Sequence, residues 1–261
     1  MFASGVPGVD AAFSTERTTV RYIEYHYLKI NVKLLCYKRL FVNQYPMSIN
    51  RRLAATTANL LPEHKPPGSP GQILEAALKL FAERGYASAS VRDVAAASGL
   101  KPATIYAHYP SKEHILAELC RIGHEEQNRG VRTAVLNNGA DPCAQIVAYV
   151  RAHVGMHTAF PMLAVVANAE LHVLSAELGA ATFALRQQSE QLLADIIQRG
   201  LDQGVFDVPN AWLAVAAIGG MGLRVAYWYS PEYHLEAREV AETYAEFALR
   251  ILACRHQPSG P

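Results

Sequence analysis

The sequence predicts an all-α protein, with an N-terminal three-helix unit holding a helix-turn-helix and a larger helical bundle behind it. Three observations predict this. Apolar residues from residue 71 onward recur at three- and four-residue spacings. The breaks between these runs carry Pro, Gly, Ser or Asp where helices stop and start. No stretch of that region shows a credible strand ladder.

Taken in order, Ile73, Leu74, Ala77, Leu78 and Phe81 form the apolar stripe of a first helix that Arg84-Gly85 ends. Ser90 and Asp93 are spaced as a capping box that opens a short helix over 91–98, and Gly99 stops it. Pro102 suits the first turn of the next helix, 102–108, because the N–H it lacks has no partner there. Tyr109-Pro110 closes that helix after two turns, and Ser111 caps a long fourth one through Leu116 and Leu119. Further helices are expected near 141–157, 160–174, 176–203, 209–229 and 235–254.

Length and composition suit one or two globular domains: 261 residues, half of them hydrophobic and under a fifth charged. The net charge of +1 hides an asymmetry. Residues 1–115 carry 14 Lys and Arg against 8 Asp and Glu, and residues 116–261 carry 10 against 15. A front half that meets an anion would be built this way. Cys36, Cys120, Cys143 and Cys254 are scattered without C-x-x-C or zinc-finger spacing, so they read as reduced thiols of a cytoplasmic protein. No run of about 18 to 20 apolar residues suggests a membrane span, and the N-terminus lacks a signal-peptide pattern. Residues 1–46 are β-prone and Tyr/Lys-rich, and a Pro/Gly-rich linker follows Met47. Two readings of 1–46 stay open, a genuine basic arm or a start-site artefact with translation from Met47, the second being favoured. Residues 1–69 are expected to form a loose extension, 70–116 the helix-turn-helix domain, and 117–256 the bundle.

The stretch GLKPATIYAHYPSKEHI, residues 99–115, is polar between two apolar runs. Ile105 is the one strongly apolar residue of helix 102–108, so it should plug the small core with Val94 and Phe81. Thr104, Tyr106 and His108 then diverge from that face. A helix lying in a DNA groove has this look: base-reading residues at its N-terminal end and phosphate donors beyond.

The span LEAALKLFAERGYASASVRDVAAASGLKPATIYAHYPSKEHIL resembles the DNA-binding domain of the TetR family of bacterial transcriptional regulators. The match runs in register over about 45 residues: LFAERGY, S-VRDVA, and the turn and helix ending S-K-E. Ala103 and Tyr109 stand where that family often has Gly and Phe, and Lys101 and Pro102 where it often has Ser and Lys. The resemblance implies operator DNA as partner. Ser90 and Arg92 would meet phosphates. Lys101, Pro102, Ala103 and Thr104 would face base edges or backbone in the major groove, and Tyr106, His108 and Lys112 would anchor phosphates.

It further implies a C-terminal domain that binds a small hydrophobic effector and forms a homodimer through the last two helices. The Ala214, Ala217 and Gly220 face suits close helix approach there. A W-Y-x-P run at Trp228 is similar to the ends of members responsive to acyl-CoA and fatty acids, so an acyl-CoA is a candidate effector. Phe160, Met162, Phe183, Trp212, Met221 and Trp228 are candidates to line an apolar cavity, and Arg186 and Arg224 to meet a ligand carboxylate or phosphate. The plain alternatives are core packing for the apolar residues and an ion pair with Glu170 or Glu190 for the arginines. His153 and His157 stand at metal-ligand spacing, with Glu170 and His172 downstream, which leaves a helical metal-binding enzyme or sensor as the alternative. Without a defensible nucleophile–base pair or phosphate loop, neither catalysis nor a cofactor is expected.

Overall fold

In the computed structural model the described residues are Leu60, 64–230 and 234–255. They form nine α-helices and one short 3₁₀ turn, with no strand among them. Helix α1 spans Ser69–Arg84, α2 Val91–Ser98, α3 Pro102–His108, α4 Lys112–Leu136 and α5 Pro142–Ala159. Then come α6 Pro161–Ala169, the 3₁₀ turn Leu171–Val173, α7 Ala176–Asp202, α8 Ala211–Trp228 and α9 Ala237–Ile251. The expected helix over 160–174 is thus two pieces, because Glu170 ends α6 before the 3₁₀ turn begins.

Local chemistry accounts for the boundaries. Ser90 accepts the Asp93 N–H while Asp93 accepts the Ser90 N–H, a complete capping box. Gly99 takes a left-handed conformation, φ 69°, that lets its N–H reach the carbonyls of Ala95 and Ala96. Ser111, Asp141, Ser175 and Asn210 cap the starts of α4, α5, α7 and α8 through their side-chain oxygens.

Two apolar cores organise the helices. The front core joins Ile73, Leu74, Leu78 and Phe81 of α1, Val94 of α2 and Ile105 of α3 to Ile115, Leu116 and Leu119 of α4. It also takes in Met162, Leu163 and Val166 of α6, so a helix of the rear bundle completes the core beneath the helix-turn-helix. Ile105 is fully buried with Val94 and Phe81, as its lone apolar side chain required. The rear core gathers Val131 and Val135 of α4 with residues of α5, α7, α8 and α9. Helix α5 lies at its centre, packed on α4, α7, α8 and α9, and is accordingly apolar on several sides.

The reading of the cysteines needs correction. Cys143 and Cys254 are bonded to each other as a disulfide, joining the start of α5 to the chain after α9; their separation of 111 residues hid the pairing. Cys120 is the free thiol among the described cysteines, and burial pushes it up to about 12. The segment before α1 is held at the points described: Leu60 is buried in the front core, and Lys65 pairs with Glu75 at 2.8 Å. The remaining expectations for residues 1–69 fall on residues outside the described set, apart from 64–69. Helix α8 is 18 residues long and passes the length and composition test for a membrane span, a test that the core helix of a soluble protein also passes. Here one side of it packs on α5, α6 and α7 while Trp212, Leu213, Ala216 and Ala217 lie exposed. Ala214 belongs to the packed side and is buried, so it is not part of that open face.

Candidate functional site

The helix-turn-helix presents an open polar edge. Arg92, Lys101, Pro102, Ala103, Tyr106 and His108 are exposed and Thr104 is half-buried. Tyr106 keeps 54% of its surface in solvent, while Tyr109 turns inward against the front core and burial pushes its phenol up to about 12. Ser90 is committed in part: its O–H donates to the Asp93 carboxylate at 2.5 Å. Those bonds hold the Asp93 carboxyl below its ordinary range.

Lys112 does more than the sequence suggests. Its ammonium donates to the carbonyls of Tyr86 and Ala89, both at 2.8 Å, and lies 4.0 Å over the Tyr86 ring. Two of its three hydrogens therefore tie α4 to the loop before α2, which leaves one for a phosphate. Two further contacts join this region to the bundle. The Tyr86 N–H donates to the Glu170 carboxylate at 3.1 Å, and the Ser175 N–H donates to Glu113 at 2.7 Å.

A cavity of about 430 Å³ lies in the bundle, within the roughly 300–1,000 Å³ range of small-molecule sites. Its walls come from α4 (Gly123, His124, Gln127), α5 (Tyr149, His153, Met156, His157) and α6 (Ala164, Ala167, Asn168). Helix α7 adds Arg186, Ser189, Glu190 and Leu193, and α8 adds Trp212, Val215, Ala216, Gly219, Gly220 and Leu223. Of the eight residues proposed from sequence to line a ligand cavity or meet its ligand, Trp212 and Arg186 line this one, and the Arg186 Nε donates to Glu190 at 2.9 Å. The other six lie elsewhere, Met162 among them in the front core. Phe160 packs on the front core and Met221 on the rear core. Phe183 is 45% exposed, Arg224 sits over the Tyr227 ring, and Trp228 stacks with Tyr244. Helical phase decides this: on α8, residues 212, 216, 219, 220 and 223 face the cavity, whereas Met221 and Trp228 point to the other side.

The histidines are the polar centre of the cavity. Burial holds His153 down to about 3 and His124 down to about 4, and it lowers His157 as well, so all three are neutral at pH 7. His153 lies so near α8 that a Cβ on Gly222 would come within 2.0 Å of its ring, and this approach needs a glycine. Gln127, His153 and His157 sit on two helices, and only the His pair leaves a spacing signal in the sequence. That pair is no metal site with Glu170. His153 has both ring nitrogens in hydrogen bonds, and the Glu170 carboxylate is engaged at Tyr86. Among the described residues no group of three His, Cys, Asp or Glu converges.

An exposed groove-reading helix on a three-helix unit, tied to a bundle with a ligand-sized cavity, defines a helix-turn-helix DNA-binding regulator. Residues 73–119 match the family model for bacterial regulatory proteins of the tetR family, and residues 139–252 that for the tetracyclin repressor-like C-terminal domain. The chain belongs to the TetR family. It is similar to the HTH-type transcriptional repressor KstR2 of Rhodococcus jostii (strain RHA1), 26% identical over 190 residues, 71% of this chain and 91% of that protein. Among solved structures, the TetR family transcriptional regulator PfmR from Thermus thermophilus is 35% identical, with a TM-score of 0.62 over 68% of this chain and 97% of that one. A bacterial regulatory protein in the tetR family from Rhodococcus RHA1 is 30% identical, with a TM-score of 0.66 over 71% of this chain and 97% of that one.

Proposed function

We propose that this chain is a transcriptional repressor that binds operator DNA as a homodimer and is released by a small hydrophobic effector held in the cavity. One observation carries the reading: α6 belongs to both machines. Ala164, Ala167 and Asn168 line the cavity, while Met162, Leu163 and Val166 complete the core beneath the helix-turn-helix. Just past its end, Glu170 accepts the Tyr86 N–H, and Tyr86 in turn receives Lys112 at its carbonyl. An effector that prefers one position of α6 thereby biases the position of the recognition helix.

On this reading Ser90, Arg92, Tyr106, His108 and the remaining hydrogen of Lys112 meet phosphates, and Lys101, Pro102, Ala103 and Thr104 address the major groove. The two recognition helices of the dimer must sit about 34 to 36 Å apart, one duplex turn. The open apolar side of α8, with Phe247 and Ile251 exposed on α9, is the face that a second copy covers. The mixed walls of the cavity suit an apolar effector with few polar groups, and an acyl-CoA, suggested by the run at Trp228, is the first class to try. The repressor needs no catalytic step or cofactor, and it acts in the cytoplasm.

A gel-shift assay tests this, using the DNA upstream of its own coding sequence with and without acyl-CoAs and other hydrophobic compounds. A retarded band that one such compound releases is the expected result; no retardation at any protein concentration refutes it.

A further inference from the structure

The hydrogen bonds around the histidines fix where their protons are. A backbone carbonyl only accepts, so His153, whose Nε2 lies 3.2 Å from the Gly219 carbonyl, carries its proton on Nε2. Its Nδ1 is then a lone pair, and it accepts from the Gln127 amide nitrogen at 2.7 Å. That bond sets the orientation of the Gln127 amide. By the same logic His157 donates from Nδ1 to the His153 carbonyl at 2.7 Å, which leaves a lone pair on its Nε2.

Two acceptors are left over. Gln127 Oε1 and His157 Nε2 are both buried, and neither meets a partner among the described residues. His157 is only 2% exposed. Both residues line the cavity, and both adjoin His153: Gln127 is bonded to it, and the His157 ring lies 4.6 Å from its ring. A buried acceptor without a donor keeps the full cost of its lost hydration, so a bound molecule that supplies the donor gains affinity.

We infer that this inner wall selects effectors carrying a hydrogen-bond donor, an O–H or N–H group received by Gln127 Oε1 and His157 Nε2. The inference rests on the cavity being the effector site. A carboxylate or phosphate, which offers only lone pairs, is disfavoured at this wall, and an anionic end belongs near Arg186 instead.

The test uses the full-length protein and two probes of nearly equal shape, 2-naphthol and 2-methoxynaphthalene, with affinities measured by equilibrium dialysis. The naphthol keeps the donor and the ether lacks it. The expected result is that the naphthol binds about tenfold or more tightly than the ether. His157→Phe and Gln127→Met should each bring that preference below about threefold while the ether's affinity stays within about twofold. Thermal unfolding checks that each variant folds, and the Gln127 variant decides the matter if the His157 variant does not. Equal binding of both probes to the wild-type protein overturns the donor rule and leaves the cavity reading intact. Binding of neither probe overturns both.

Discussion

Lowering the pH from 7 to 5 should destabilise this protein through its buried histidines. Burial depresses His124 to about 4 and His153 to about 3 from an ordinary 6.5. Above pH 6.5 the rings are neutral in both folded and unfolded chains, so their contribution to stability is complete. As pH falls below 6.5 the unfolded chain takes up protons that the folded one refuses. Stability is then lost until the folded rings themselves titrate, near 4 and 3. Each unit of pH in that window costs about 1.4 kcal/mol per ring, so His124 and His153 together remove about 4 kcal/mol between pH 7 and 5. His157, lowered by its own burial, moves stability the same way. For a folded body of this size the loss is on the order of 10 °C in Tm. Differential scanning calorimetry at pH 7, 6 and 5 measures it, with His153→Asn as the variant that should flatten the slope. A Tm that holds steady from pH 7 to 5 refutes the burial of neutral histidines, and a variant as pH-sensitive as the wild type removes His153 from that effect.

Other outcomes follow from single contacts. Glu170→Ala cuts the Glu170–Tyr86 bond, so effector affinity should hold while the effector's power to release DNA falls roughly 2- to 30-fold, read as the shift in DNA affinity at saturating effector. Tyr106→Phe should weaken operator binding roughly tenfold without changing Tm, since its hydroxyl lies on an exposed side chain; unaltered affinity would remove it from the phosphate contacts. Lys112→Ala should lower stability by about 2 kcal/mol by removing its two carbonyl contacts. The same variant should reduce the salt slope of operator binding by about 0.9 per lost phosphate contact, and an unchanged slope would assign Lys112 to structure alone. Reducing the Cys143–Cys254 bond, which closes a loop of 111 residues, should cost about 4 to 5 kcal/mol, seen as a lower Tm with reductant that Cys143→Ser reproduces.

The helix-turn-helix was the most legible part of the chain because its signals are local. Ser90 and Asp93, Gly99, Pro102 and Ser111 each act within four residues of themselves, and each did what its chemistry requires. The lone apolar Ile105 likewise had one place to go. The cavity was not legible in this way. Its walls come from five helices, and membership depends on helical phase and on packing partners far away in sequence. Trp212 and Met221 look alike as apolar residues on α8, yet Trp212 lines the cavity and Met221 the rear core. The His153 and His157 spacing was visible, but it suggested a metal, because the carbonyls of His153 and Gly219 that satisfy their rings leave no mark in side-chain sequence. For Lys112 the sequence shows a donor, but nothing in its neighbours reveals that the carbonyls of Tyr86 and Ala89 fold back over it and take two of its three hydrogens.

On the proposed function, occupancy of the cavity and grip on DNA are alternatives. The most direct measurement is the affinity of the purified dimer for its upstream DNA, by fluorescence anisotropy, as a function of an effector whose binding is measured independently. DNA affinity should fall as the cavity fills and, by linkage, effector affinity should fall by the same factor when DNA is bound. An effector that fills the cavity and leaves DNA affinity unchanged would contradict it.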